Sequence, residues 1–152
     1  MLLHFVCSCQ DGVETRIQYF EGSEDIKEWQ SYMQKVPHGT WKKYYANHQL
    51  LESREYRHGK KIGKLIRYWP NGHKQMEYHF EDDEYHGEAR EWSEAGVLTR
   101  WMHYEKGHEE GLQQYYNDEG KLKSNYVIRN GRRYGLLGTK HCINIKDSFD
   151  IR

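Results

Sequence analysis

Residues 39–62 read GTWKKYYANHQLLESREYRHGKKI, and the chain writes that line three more times in varied form. Residues 63–86 are GKLIRYWPNGHKQMEYHFEDDEYH, residues 87–110 are GEAREWSEAGVLTRWMHYEKGHEE, and residues 111–134 are GLQQYYNDEGKLKSNYVIRNGRRY. Each copy is 24 residues long and opens on glycine: Gly39, Gly63, Gly87, Gly111, with Gly135 starting a further piece. The other columns agree. The sixth position is always aromatic, at Tyr44, Tyr68, Trp92 and Tyr116. The tenth is Gly72, Gly96 and Gly120, with His48 the exception, and the twenty-first is Gly59, Gly107 and Gly131, with Asp83 the exception. A fixed period in this range marks a repeat architecture in which each unit packs on its neighbours.

Inside each copy an aromatic and branched run, a turn and a second run predict a β-hairpin, and Asn71-Gly72 is a strong turn signal. A turn centred on positions 9 and 10 makes position 7 face 12, 5 face 14 and 3 face 16. That register sets Lys43 against Glu52 and Glu91 against Arg100, opposite charges as cross-strand neighbours prefer. It also pairs Tyr45 with Leu50, Leu65 with Tyr78 and Ala89 with Met102. One face then gathers Trp41, Tyr45, Leu50, Leu65, Trp69, Tyr78, Phe80, Leu98, Met102, Tyr104, Leu122, Tyr126 and Ile128 as the expected core. The opposite face holds the aromatic column Tyr44, Tyr68, Trp92 and Tyr116. Turns at His58-Gly59, Lys106-Gly107 and Asn130-Gly131 link one hairpin to the next.

Outward from the repeats, residues 11–22 look like the second half of a unit, with Asp11-Gly12 in the place of Asn71-Gly72 and Phe20 in the place of Phe80. Residues 23–37 break the period. Ile26, Trp29, Met33 and Val36 fall at helical spacing, Ser23 suits an N-cap, Glu24 and Asp25 a first turn, and Pro37 a stop. The expectation is an amphipathic helix that caps the repeat stack. The expected fold is mostly β: an elongated antiparallel sheet of stacked hairpins over 39–134, with this one N-terminal helix. Residues 135–152 begin a fifth unit and depart from it. Ile143 and Ile145 alternate with polar neighbours, which predicts a last strand.

Residues 1–10 open MLLHFVCSCQ. Val6-Cys7-Ser8-Cys9 resembles the end of a bacterial lipoprotein signal, with Cys9 the lipidation candidate. No Lys or Arg precedes it, and the apolar part is shorter than a signal requires. Either the true start lies upstream or this is ordinary chain.

Composition bounds the function. The formal net charge is zero, with 23 basic and 23 acidic residues, so the total gives no argument for nucleic acid or an anionic membrane. Tyr and Trp number 13 and 5, which suits a thin structure in which amphipathic rings cover a sheet. Three cysteines, two crowded at Cys7 and Cys9, form no disulfide framework. Cys142 has only the adjacent His141 as a base, and neighbours in a strand point to opposite faces. His79 and His103 share one repeat position but lie two strands apart, about 9.6 Å, too far to share a zinc. Glu81-Asp82-Asp83-Glu84 lacks calcium-loop spacing. No catalytic residue, cofactor site or metal site is therefore expected, and no enzyme. The column Tyr44, Tyr68, Trp92 and Tyr116, with Trp69, is the candidate surface for a protein partner. The linking turns from Arg57, Glu81, Glu105 and Arg129 read basic, acidic, acidic, basic, which fits a protein partner or simple solubility better than a polyanion. Open sheet ends allow a homodimer.

The pattern G-x-W-x-x-Y-Y-x-N-G-x-L followed by a Y-x-x-G turn resembles the MORN repeat in its bacterial variant form. Gly39, Trp41, Tyr44, Tyr45, Leu50, Tyr56 and Gly59 carry the match in the first repeat; Gly63, Tyr68, Trp69, Asn71, Gly72 and Phe80 carry it in the second. The third departs most, with Ala89 and Ser93. Among families built from this variant, the chain is most similar to the YwqK-type proteins, antitoxins of toxin–antitoxin modules. The resemblance implies stacked hairpins without inherent catalysis, and MORN proteins elsewhere are linked to membrane lipids and to scaffolding. The implied role is a protein-binding antitoxin or immunity component whose partner is a toxin. The alternative is an envelope lipoprotein acting as a scaffold, membrane-associated only if lipidated; the location is then the envelope or the cytoplasm.

Overall fold

A computed structural model describes residues 12–136. They form one antiparallel sheet of twelve strands. In chain order these are β1 (Val13–Tyr19), β2 (Ile26–Met33), β3 (Val36–Pro37), β4 (Gly39–Tyr44), β5 (Leu50–Arg57), β6 (Lys60–Tyr68), β7 (Lys74–Glu81), β8 (Glu84–Trp92), β9 (Leu98–Glu105), β10 (His108–Tyr116), β11 (Leu122–Arg129) and β12 (Arg132–Leu136). Each pairs with its sequence neighbour, except that β4 joins β2, with the short β3 also on β2. All hairpin tips therefore lie along one edge of the sheet, and all linking turns along the other.

The expected helix over 23–37 is absent, and no residue described here is helical. Ile26–Met33 is a strand, paired with β1 from Val13↔Met33 to Tyr19↔Ile26 and with β4 at Glu28↔Lys43 and Trp29↔Lys42. An isolated helix of about three turns is marginal in water, whereas this segment satisfies its backbone on the ladders at either side. Ser23 does not cap a helix; its Oγ accepts the Asp25 N–H at 2.9 Å inside the loop joining β1 to β2. At the other end Gln34 and Lys35 have φ of 51° and 67°, the left-handed geometry of a two-residue hairpin turn. The same paired geometry recurs at His58-Gly59, Asp82-Asp83, Lys106-Gly107 and Asn130-Gly131. Residues 13–38 are thus a further, degenerate hairpin unit in which β1 is the first strand.

The tips differ from a two-residue turn. In each of the four repeats the N–H of position 10 bonds the carbonyl of position 7, as in Gly72 to Trp69 at 2.8 Å. The N–H of position 7 bonds the carbonyl of position 11, as in Trp69 to His73 at 2.8 Å. Only position 10 is left-handed: φ is 85° at Gly72 and 66° at His48. This is the longer tip that ends in a bulge. Its consequence is a slip of one residue. Lys43↔Glu52 and Leu65↔Tyr78 pair as the sequence predicts, but Leu50 faces Tyr44, not Tyr45. Leu98 faces Trp92 and Leu122 faces Tyr116 in the same way. A slip of one residue exchanges faces, so these three leucines leave the core side; Leu122 is 45% exposed.

A second bulge sits at position 1. Between β5 and β6 the register jumps from Arg54↔Leu65 to Glu55↔Ile62. Gly63 lies in the jump with φ of 59°, and a Cβ there would stand 2.5 Å from Glu55 Oε2. Glycine opens each repeat because the backbone there is left-handed, with φ of 82°, 59°, 80° and 78° at Gly39, Gly63, Gly87 and Gly111.

The core is one face of a single sheet. Leu65, Tyr78, Ala89 and Met102 are buried together, with Met76, Phe80, Tyr85 and Tyr104 packed against them. Tyr78, Tyr85 and Tyr104 meet at centroid distances of 5.1–6.1 Å, within the range of favourable tilted ring pairs. Toward the N-terminal end, Trp41 bridges Tyr32 at 5.2 Å and Tyr56 at 4.6 Å.

Candidate functional site

The tip bulge sets the aromatic column. Tyr44, Tyr68, Trp92 and Tyr116 face Leu50, Lys74, Leu98 and Leu122 across their hairpins. The degenerate N-terminal unit adds Tyr19 against Ile26, at the same kind of bulge. Aromatic and aliphatic side chains therefore alternate across ten consecutive strands, on the tip side of the face opposite the core. Lys74 is the one polar member, and its Nζ stands 5.7 Å from the Trp92 ring centroid. All five aromatics are half-buried. None of Tyr44, Tyr68, Trp92 and Tyr116 makes a ring contact with another among the described residues, as their separation by intervening strands requires.

Trp69 does something else. Its indole Nε1 donates to the Trp92 carbonyl at 3.1 Å, and Tyr45 Oη donates to the Tyr68 carbonyl at 2.8 Å. In both cases position 7 of one repeat is tied to position 6 of the next. Position 9 makes a second tie: Asn47 Nδ2 donates to the Pro70 carbonyl at 3.0 Å, and Asn71 Nδ2 to the Glu94 carbonyl at 2.9 Å. The column is thus held by backbone bonds at its own positions, and Trp69 is a positioning residue for Trp92. The sequence offered a signal for this in the recurrence of Tyr45/Trp69 and Asn47/Asn71.

Beside the column, Glu77 accepts from Lys64 Nζ at 2.9 Å and Lys74 Nζ at 2.6 Å. Burial works to raise its pKa, but the two lysine hydrogen bonds and their charge outweigh it and hold the carboxyl at about 2. On the core face, burial first and a hydrogen bond to Glu91 second push the Tyr78 hydroxyl well above its usual range.

The linking turns resolve their charge order internally. Three of the four bring like charges face to face, Arg57↔Lys60, Glu81↔Glu84 and Arg129↔Arg132, an unfavourable pairing taken alone, while the third sets Glu105 against His108. The neighbouring turn compensates. Lys60 reaches Asp82 at 3.4 Å, the Lys61 N–H bonds Asp83 Oδ1 at 2.8 Å, and Arg133 lies 3.9 Å from Glu109. The basic first turn is thus offset by the acidic second, and Arg133 beside the fourth turn by Glu109 beside the third, which leaves Arg129 and Arg132 without an ion pair among the described residues.

The remaining candidates are quickly placed. His79 Nδ1 lies 2.8 Å from the Glu88 carbonyl and His103 Nδ1 3.1 Å from the Glu110 carbonyl, each contact joining the two strands on either side of a linking turn. Among the described residues no group of three or more His, Cys, Asp or Glu could hold a metal ion. His79, Phe80, Glu81, His86, Gly87 and Glu88 line one shallow, open depression. Among the described residues no helix is long and apolar enough to cross a membrane, which says nothing of spanning by strands. Cys9 and Cys142 lie outside the described residues.

The MORN repeat variant, as a family model, matches residues 37–58, 61–82 and 109–127. Three of the four repeats match the MORN variant. The matches fall on the first, second and fourth of them and pass over the third, whose Ser93 and Ala95 replace the residues that tie one tip to the next. No curated protein matches the chain. Among solved structures, a crystal structure of an S. aureus TarM mutant with fondaparinux, α-GlcNAc-glycerol and UDP aligns at a TM-score of 0.40 and 12% identity. The alignment covers 83% of this chain and 22% of TarM, so the chain spans about a fifth of that protein's length. A likeness at that level says nothing of function.

Proposed function

We propose that this MORN-variant chain is a protein-binding module without catalytic chemistry of its own, and that its contact surface is the tip-side aromatic row. The observation that carries the reading is the row's continuity: Tyr19, Tyr44, Tyr68, Trp92 and Tyr116 occupy equivalent bulge positions and stay half-buried. Half-buried rings supply rigid contact area at little entropic cost, and aromatic residues are enriched where protein partners meet. The core does not need this face, since the buried cluster lies on the other. The finer form of the proposal is an antitoxin or immunity component that masks a toxin sterically. It rests on the resemblance to YwqK-type proteins.

The test uses the full chain as bait in soluble and membrane fractions of its native cell, followed by affinity measurement with the purified partner. Tyr68→Ala with Trp92→Ala removes two rings while leaving the carbonyls that receive Tyr45 and Trp69. The expected result is one stoichiometric protein whose affinity falls at least tenfold in this variant, with circular dichroism unchanged. Lys60→Ala at the opposite edge should leave the affinity as it was. Equal affinity for both variants, or recovery from membranes with no protein partner, overturns the reading.

A further inference from the structure

The large hydrophobic side chains that stand exposed among the described residues all sit at the two ends of the sheet. Trp29 at 37% and Val36 at 40% lie on β2 and β3; Leu112 at 39%, Leu122 at 45% and Tyr134 at 54% lie on β10, β11 and β12. The six strands β4–β9 between them contribute none. At the C-terminal end the exposure follows a row, since Leu112 pairs with Val127 and Val127 with Tyr134. The equivalent row in the third repeat reads Glu88, His103 and Glu110. The end of the sheet is therefore apolar where the middle is polar.

The two ends are also opposite in charge. The β11–β12 hairpin, residues 121–136, carries Lys121, Lys123, Arg129, Arg132 and Arg133 and no Asp or Glu. The β1–β2 hairpin, residues 13–33, carries Glu14, Glu21, Glu24, Asp25 and Glu28 against Arg16 and Lys27. Part of this charge is spent locally. Glu28 meets Lys43, Glu14 meets Arg16, and Arg133 and Lys121 reach Glu109 and Glu119. Lys123, Arg129 and Arg132 meet no carboxylate among the described residues. Arg129 and Arg132 moreover face each other across the last turn, with no acidic turn beyond to compensate as Asp82 compensates Lys60. Glu21 and Glu24 are likewise exposed and without a basic partner among the described residues.

We propose that copies of this chain associate head to tail, the basic C-terminal end of one sheet against the acidic N-terminal end of the next. Complementary charge selects the second copy as the occupant of each end, and the exposed hydrophobic side chains supply the area to be covered. Among the described residues β1 and β12 each pair on one side only, so backbone groups are available at the same ends. Like ends repel, which disfavours the symmetric dimer made by joining two equal ends. A head-to-tail contact instead propagates, into a row of sheets or a closed ring. The inference does not depend on the aromatic row, which lies along the length of the sheet and shares Leu122 with its C-terminal end.

Sedimentation velocity of the full chain over a concentration series, in low and high salt, reads the contact without any variant. The expected result is a mean mass that rises with concentration in low salt and returns toward the monomer as the ionic strength screens the ends. Lys123→Glu with Arg132→Glu takes the C-terminal hairpin from a net +5 to +1, and Glu21→Lys with Glu24→Lys takes the N-terminal hairpin from −3 to +1. Each variant alone should associate at least tenfold more weakly, and an equimolar mixture of the two should recover association. A wild-type chain that stays monomeric at low salt overturns the proposal. So does a salt-independent dimer untouched by both charge reversals.

Discussion

The junction between the second and third repeats and the junction between the third and fourth share one backbone plan but not one set of side-chain ties. At the first of these, Trp69, Asn71 and His73 all reach carbonyls of the next tip, the His73 ring at 2.9 Å from Glu94 O. At the second, the same three positions are Ser93, Ala95 and Val97. Ser93 Oγ instead accepts the Val97 N–H of its own loop at 3.2 Å. The core differs in step. Position 3 is Leu65 and Ala89 in the second and third repeats but Gln113 in the fourth, fully buried. Its Nε2 donates to the His103 carbonyl at 2.8 Å, and its Oε1 finds no partner among the described residues. An unpaired buried acceptor carries a desolvation cost of about 1–3 kcal/mol. The strand ladder carries the architecture through both junctions, while the tip ties and the apolar core add local stability to one of them.

The largest effect that separates the two junctions is expected at Trp69. Trp69→Ala removes a half-buried ring and an indole hydrogen bond and should cost about 2–3 kcal/mol in urea unfolding. Ser93→Ala, the same position one repeat on, should cost less than about 1 kcal/mol. Equal costs would mean that the ties contribute nothing. A smaller and reversible test is to move a tie. Asn71→Ala should lose about 0.5–1.5 kcal/mol, and Ala95→Asn, which supplies the missing donor toward Asp118 O, should gain up to about 1 kcal/mol. A loss on Ala95→Asn would show that the third tip cannot adopt the geometry of the second.

The smallest effect is seen only in acid. Glu77 is held at about 2 against an ordinary 4.5, a depressed carboxylate. Its contribution is complete above pH 4.5 and drains away as the pH falls toward 2. The equivalent residue of the fourth repeat is Asn125, which has no such dependence. Glu77→Gln should flatten part of the wild-type loss of stability between pH 4.5 and 2, measured by urea titration across that window. An unchanged slope would remove Glu77 from the account.

Much of this was legible in the chain. The period, the hairpins and the pairings Lys43↔Glu52, Glu91↔Arg100, Leu65↔Tyr78 and Ala89↔Met102 follow from spacing and charge alone. The face of Leu50, Leu98 and Leu122 did not, because Asn71-Gly72 reads as a two-residue turn while the chain builds a longer tip with only Gly72 left-handed. The missing helix has a similar cause. Ile26, Trp29, Met33 and Val36 suit a helix face, yet counting back 24 residues from Leu50, Glu52 and Tyr56 lands on Ile26, Glu28 and Tyr32. One extra residue in the loop after Tyr19 hides the repeat, and Gln34-Lys35 replace the glycine turn that would have marked it. The candidate row Tyr44, Tyr68, Trp92 and Tyr116 was readable as a column. That Trp69 serves it from behind required knowing which carbonyl the indole reaches.

Native-state hydrogen exchange by NMR tests the central contrast most directly, since each ladder reports its own opening. The amides joining β9 to β10 should exchange through openings about 1–2 kcal/mol less costly than those joining β5 to β6 and β7 to β8. Protection that is uniform along the sheet, or highest between β9 and β10, would contradict it.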